Sequence, residues 1–254
     1  MTALPNLMVA PNGARRTKSD HPALPITLSD IIETAKSCAT AGADGLHLHL
    51  RDAEGRHLLD AERYREALGE LRAQVPGLSL QVTTEAAGRY AAPHQRQVAL
   101  AAGADMVSVA LREMVQDTPD ATAAAFYSDC ADRGIAVQHI LYDAADFDLL
   151  IRLLPDARLH DPALQLIFVL GRYSVDQDSD PSDLEPFLDR MAEVGLTPDW
   201  AVCAFGRGET ACLVKAHQRG GKLRVGFENS VWHADGSLAH DNADRVRHVR
   251  QACK

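Results

Sequence analysis

The sequence predicts an α/β protein of the (β/α)8 TIM-barrel class, read as a single barrel domain over residues 1–254. Short β-branched runs alternate with longer helical patterns along the whole chain, and eight such pairs can be counted. Strands separated by helices pair in parallel through right-handed crossovers, and eight units in about 250 residues match a closed barrel. The junctions Ala41-Gly42-Ala43-Asp44 and Ala102-Gly103-Ala104-Asp105 echo each other, as a repeated βα unit requires. An open doubly wound sheet is the competitor, but Gly13 stands alone after the first strand and no GxGxxG cradle follows it.

The elements follow in order. The first strand is Leu7–Ala10, ending at Pro11-Asn12-Gly13 and the basic run Arg15-Arg16-Thr17-Lys18. Helix one opens at Thr27 or Ser29, either a good N-cap, and stops at Gly42, where glycine accepts a left-handed C-cap. The second strand is Gly45-Leu46-His47-Leu48-His49-Leu50-Arg51, whose strict alternation puts His47, His49 and Arg51 on one face. Helix two covers Ala61–Gln74 and strand three Leu78–Thr84; helix three covers Pro93–Ala102 and strand four Met106–Leu111. Helix four, Asp120–Asp132, precedes strand five at Ala136–Tyr142, and helix five runs to Leu154. Strand six, Leu166–Leu170, ends at Gly171 before a polar loop through Ser182. Helix six (Leu184–Val194), strand seven (Trp200–Phe205), helix seven (Glu209–Gln218), strand eight (Leu223–Glu228) and a last helix (Asp241–Gln251) complete the chain.

Composition narrows the function. With 46% hydrophobic and 24% charged residues the chain reads as an ordinary globular protein. A net charge of −9, with no run of Lys or Arg longer than Arg15-Arg16-Thr17-Lys18 standing out, argues against the phosphate-neutralising footprint of a nucleic-acid binder, so a small-molecule partner is expected. The start of the chain carries neither a basic n-region nor an apolar span, which points away from the membrane and to the cytoplasm. Five widely spaced cysteines without a CxxC suggest packed thiols rather than a disulfide framework.

A barrel takes its catalytic groups from the C-terminal ends of several strands. Here those ends carry His47, His49 and Arg51; Thr83, Thr84 and Glu85; Ser108; Gln138, Tyr142 and Asp143; and Arg224, Glu228 and Asn229. Two imidazoles at i, i+2 on a strand can share one metal ion, although buried, hydrogen-bonded histidines give the same pattern. Glu228 sits in an apolar run where an unpaired carboxylate would be costly, and either a metal or a salt bridge to Arg224 or Arg51 relieves that cost. His, His and Glu with an open position form a recognised catalytic zinc set. Arg224 shares parity with Glu228 and suits a bidentate grip on a substrate carboxylate. Thr83, Thr84 and Ser108 are read as helix caps or as hydroxyls that orient a substrate. His139, of opposite parity to Gln138, is read as a packed core histidine.

Together, Asn12-Gly13-Ala14-Arg15, Leu24-Pro25-Ile26-Thr27, His47-Leu48-His49-Leu50-Arg51, Gln81-Val82-Thr83-Thr84, Phe168-Val169-Leu170-Gly171 and Arg224-Val225-Gly226-Phe227-Glu228-Asn229 closely resemble the β-keto acid cleavage enzymes, over essentially the full chain. The resemblance implies a zinc-bearing barrel, usually a homotetramer, that converts a β-keto acid and acetyl-CoA to acetoacetate and a new acyl-CoA. It implies that His47, His49 and Glu228 are the zinc ligands and that Arg224 orients the substrate carboxylate. Thr83 falls where the family has a serine and Ser108 where it has a threonine, so both hydroxyls persist. Thr84 and Gly171 join Arg15 and Asn229 as expected substrate contacts. Two positions depart: the family's acidic residue in the first loop is here Arg15, and the aspartate after the zinc-binding glutamate is here Asn229. An amide is no base, so Glu85 and Asp143 become the candidates for proton removal. Arg15 in turn implies a substrate with a neutral or negatively charged distal group. A zinc hydrolase or aldolase that does without CoA, and a metal- or ligand-binding barrel without turnover, are the competing readings.

Overall fold

The computed structural model describes residues 2–254. Ten strands and ten α-helices follow in chain order: β1 (Leu7–Val9), α1 (Leu28–Ala41), β2 (Gly45–Leu48), β3 (Leu50–Arg51), β4 (His57–Leu58), α2 (Ala61–Gln74), β5 (Ser79–Thr83), α3 (Ala92–Ala101), β6 (Met106–Ala110), α4 (Leu111–Met114), α5 (Asp120–Asp132), β7 (Ala136–Leu141), α6 (Asp146–Leu153), α7 (Asp156–Leu159), β8 (Gln165–Leu170), α8 (Glu185–Glu193), β9 (Asp199–Ala204), α9 (Glu209–Gln218), β10 (Lys222–Val225) and α10 (Asn242–Ala252). Eight of the strands close a parallel barrel in the order β1-β10-β9-β8-β7-β6-β5-β2, the first pairing with the last. The expected barrel is therefore present, with α2, α5 and α9 at their expected bounds. Thr27 is the N-cap of α1, in a capping box with Asp30, and Gly42 closes that helix at φ 107°. No helix among the described residues is long and apolar enough to cross a membrane.

Side-chain alternation along the strands builds two cores. Leu46, Leu48, Val82, Val107 and Val109 point outward into the layer between barrel and helices, whereas Met8, Met106, Ile167, Val169 and Cys203 fill the barrel interior. His139 faces outward, its ring 4.9 Å from that of Tyr127, as its parity predicts.

Several expected strands stop one residue short, but two stop three residues short, and both of these differences shape the site. The histidine strand stops at Leu48; His49 follows it, and Leu50–Arg51 leaves the barrel to pair antiparallel with His57–Leu58. The His49 carbonyl accepts a bond from the Asn12 side chain instead of from a strand. Arg51 does not share the histidine face: its guanidinium donates to the carbonyls of Asn12, Gly13, Arg16 and Gly55, and so shapes the loop after β1. The last barrel strand stops at Val225 rather than Glu228, because Gly226 turns the chain at φ 141° and the next amides find partners off the sheet. Gly226 N donates to Glu209, Phe227 N to the Asn242 side chain and Glu228 N to the Ala10 carbonyl.

Burial holds His139 neutral, pushing its imidazole down to about 3. Its folded value lies below the unfolded one, so its contribution to stability is present above pH 6.5 and is lost as pH falls from there toward 3. Wild type should therefore lose stability relative to His139→Leu by about 1.4 kcal/mol per pH unit over that window. Urea unfolding of both proteins between pH 7 and 4 measures this, and a pH-independent difference would contradict it.

Candidate active site

Four elements converge at the C-terminal mouth of the barrel. His47 stands one residue before the end of β2, His49 just past it, Arg224 on β10 and Glu228 in the turn beyond. His47 Nε2 and His49 Nε2 are 3.0 Å apart, and Glu228 Oε2 lies 3.7 Å from the first and 3.4 Å from the second. Arg224 Nη2 donates to Glu228 Oε1 at 3.2 Å. Gly13, at φ 59°, lets the loop after β1 lie against this carboxylate: a Cβ there would come within 2.6 Å of Glu228 Cγ.

The tautomer of His47 follows from its neighbours. The Leu166 carbonyl can only accept, so Gln138 Nε2 donates to it at 3.3 Å; Gln81 Nε2 then donates to Gln138 Oε1 at 2.9 Å, and Gln81 Oε1 accepts from His47 Nδ1 at 2.7 Å. His47 Nε2 therefore turns a lone pair toward His49 and Glu228. Burial, then the Arg224 charge, holds His47 well below its ordinary value. Burial alone would raise the Glu228 carboxyl, but Arg224, His49 and His47 outweigh it and hold it well below the usual carboxylate range. An anionic oxygen and at least one imidazole lone pair thus meet at one point.

These residues fit a divalent metal ion. Glu228 Oε2, the oxygen that faces both imidazoles, is buried without a hydrogen-bond partner. Ligand atoms about 2.0–2.1 Å from a tetrahedral zinc stand about 3.3 Å from one another, and the three separations of 3.0, 3.4 and 3.7 Å bracket that value. The three donors face a cavity of about 870 Å³, which leaves room for a further ligand.

Thr83, Glu85, Ser108 and Arg15 also line that cavity. Ser108 Oγ is buried and unpartnered, Thr83 Oγ1 accepts from Glu85 N, and Glu85 lies 3.7 Å from Arg172. The other expected site residues stand elsewhere. Thr84 Oγ1 donates to the Ser108 carbonyl, tying two strands together. Asp143 is held by Arg112 beside the cavity, and Gly171, at φ 76°, packs under the Asp178 carbonyl in the same neighbouring groove. Asn229 is fully buried with both side-chain polar atoms unpartnered, while its carbonyl accepts from Arg16.

Sequence reasoning missed several contributors. Glu113 lines the cavity and accepts from Ala86 N and Gln95; burial raises its carboxyl. Arg172 and Gln177 arrive from the polar loop after β8. Behind the Glu228 turn, Glu209 and Arg245 form a fully buried ion pair at 2.5 Å, and Glu209 receives the Gly226 amide. No local pattern links residues 36 positions apart, although Gln81 carried a signal in its shared parity with Thr83.

The family model described as "beta-keto acid cleavage enzyme" matches residues 6–254. The chain belongs to the β-keto acid cleavage enzyme family. It is 29% identical to the 3-keto-5-aminohexanoate cleavage enzyme of Fusobacterium nucleatum, the match covering 95% of this chain and 88% of that one. It is 26% identical to the 3-oxoadipate:acetyl-CoA acetyltransferase of Cupriavidus necator, over 98% of this chain and 88% of that one. Among solved structures, the fold is similar to apo ObcA, with a TM-score of 0.66 at 17% identity, and covers 91% of this chain but 61% of that longer one. A type I 3-dehydroquinate dehydratase of Clostridium difficile shares the barrel at a TM-score of 0.60 and 13% identity, over 98% of this chain and 93% of that one.

Because Glu209 holds both Arg245 and the Gly226 amide, Glu209→Ala should strand a buried guanidinium and cost about 3–5 kcal/mol. Urea unfolding at neutral pH checks this; a loss below about 1 kcal/mol would show that Arg245 finds another partner.

Proposed function

We propose that this member of the β-keto acid cleavage enzyme family is an acyltransferase that takes a β-keto acid and acetyl-CoA to acetoacetate and a new acyl-CoA. The observation that carries the reading is the convergence of His47, His49 and Glu228 on one point of a cavity, with Arg224 beside them. The names of the relatives from Fusobacterium nucleatum and Cupriavidus necator support the reaction type. His47, His49 and Glu228 would hold zinc or another divalent ion, whose Lewis acidity favours an enolate.

The chain's own residues supply the rest. Arg224 grips the substrate carboxylate, its Nε being buried and unpartnered. Glu85, at the cavity wall, accepts the proton from the carbon between keto group and carboxylate. That carbon attacks the acetyl thioester carbonyl, and the thioester C–S bond breaks to release the CoA thiolate. The thiolate then adds to the original keto carbon, the C–C bond to the carboxylate-bearing fragment breaks, and acetoacetate leaves as an enolate that takes back a proton. Ser108 Oγ and Thr83 Oγ1 line the cavity as donors for the oxygens that become negative. Arg15 stands exposed at the cavity rim and selects a distal group that is neutral or anionic.

Zinc-loaded protein should release acetoacetate from a panel of β-keto acids only when acetyl-CoA is present, and should lose the activity on chelation and regain it with zinc. Glu85→Gln should lower kcat about 100-fold or more at unchanged metal content. Turnover without acetyl-CoA would favour the hydrolase or aldolase; metal binding with no turnover of any acid would favour a binding barrel.

Within the same panel, Arg15→Glu should lower kcat/KM about tenfold for a dicarboxylic keto acid, the scale of one exposed-to-half-buried charge contact, while sparing an uncharged one. Equal losses on both would remove Arg15 from specificity.

A further inference from the structure

The layer of helices around the barrel is incomplete over β7 and β8. Each of these strands has six residues and runs about 20 Å, whereas α6 has eight residues and runs about 12 Å. Leu154, held extended ahead of Pro155, ends that helix, and only the single turn of α7 stands between it and β8. A cavity of about 540 Å³ lies between α5 and α7, sharing none of the described residues that line the catalytic one. Its floor is His139 and Val137, the latter only half-buried although it packs toward the helices, and Ala124, Ala131, Leu154 and Leu164 give it apolar walls. Two polar side chains line it as well. Tyr127 and His139 are 6% and 4% exposed, and Tyr127 Oη and His139 Nδ1 are buried without a hydrogen-bond partner among the described residues.

An unpartnered buried polar group weakens a fold, and a ligand that answers it recovers part of the loss. Both groups here are neutral: burial pushes the Tyr127 phenol up and the His139 imidazole down to about 3. At the rim Arg158 and Asp161 carry opposite charges, so the cavity offers no net charge to an ion, and an ionised group inside it would go uncompensated. A hydroxyl both donates and accepts, so it can answer Tyr127 Oη, and it can answer His139 Nδ1 in either tautomer of that ring. The two protein rings, with centroids 4.9 Å apart and planes tilted by 59°, offer faces and edges to a third. We propose that this cavity binds an uncharged single-ring molecule of the phenol class, its ring between α5 and β7 and its hydroxyl at Tyr127 and His139. The volume falls within the range of about 300–1,000 Å³ that small-molecule sites occupy. None of the residues assigned to the reaction takes part.

Calorimetric titration of the full chain with phenol, and separately with toluene and benzoate, tests the site without any need for turnover. Wild type should bind one equivalent of phenol. Tyr127→Phe, which removes only the hydroxyl, should weaken phenol binding about tenfold, the scale of one lost hydrogen bond, and leave toluene binding unchanged. It should also unfold at no lower urea concentration than wild type, because the hydroxyl it removes has no partner in the protein. Val137→Phe should fill the cavity and abolish binding of phenol and toluene. Benzoate, whose carboxylate finds no compensating charge here, should bind wild type and Val137→Phe alike. No saturable phenol binding, or phenol bound equally by wild type and Val137→Phe, would overturn the site. Phenol and toluene weakened equally by Tyr127→Phe, or benzoate binding lost in Val137→Phe, would overturn an uncharged, hydroxyl-bearing ligand.

Discussion

The site depends on keeping one carboxylate ionised where little water reaches it. Glu228 is only 14% exposed at its side chain, and an unpaired charge there would cost several kcal/mol. Arg224 supplies one compensating charge at 3.2 Å, and the backbone does the placing. Gly226 ends the strand early, Gly13 opens space beside the carboxylate's stem, and the Ala10 carbonyl takes the Glu228 amide. With Glu228 balanced by Arg224, a divalent ion at His47 and His49 would leave an excess of positive charge. An enolised keto acid is a dianion, so on the proposed reading the substrate itself completes the balance.

The same logic explains why the barrel interior is polar on one side. Met8, Met106, Ile167 and Val169 pack it as an apolar core, yet Gln81 and Gln138 occupy inward positions beside them. Each amide is buried and each finds a partner, in a chain of donors and acceptors that ends on the Leu166 carbonyl. The chain has one allowed direction, and that direction fixes which nitrogen of His47 faces the site. A hydrophobic replacement would pack as well but would leave the imidazole free to turn.

Much of this was legible in the sequence, for identifiable reasons. Short β-branched runs such as Met106–Ala110 and the glycine stops at Gly42 and Gly103 are local signals, and the barrel follows from the alternation of such runs with helical patterns. His47 and His49 were legible because two residues apart on one chain is also close in space. Their meeting with Glu228 was inferred from chemistry, since no period links residue 49 to residue 228. The strand ends were read too long because Leu50-Arg51 and Phe227-Glu228 continue the alternation while the backbone's hydrogen bonds leave the barrel. The Glu209–Arg245 pair and the Tyr142–Tyr173 contact were illegible, as each joins distant segments by side-chain reach alone.

Asn229 illustrates how burial changes the meaning of a substitution. The resemblance implies an aspartate at this place, and in the sequence the amide reads as a lost base. The structure puts the side chain at zero exposure, outside the cavity lining, with neither polar atom partnered. Arg16 is near, but its guanidinium donates to the Asn229 carbonyl and not to the side chain. A carboxylate in that position would be a second buried anion one residue from Glu228, and Arg224 already serves the first. The amide avoids that desolvation cost while keeping the shape, because an unpaired neutral group is far cheaper to bury than an unpaired charge. At this buried place beside Glu228 an amide is cheaper than a carboxylate, and on the proposed reading proton transfer belongs to Glu85, which lines the cavity.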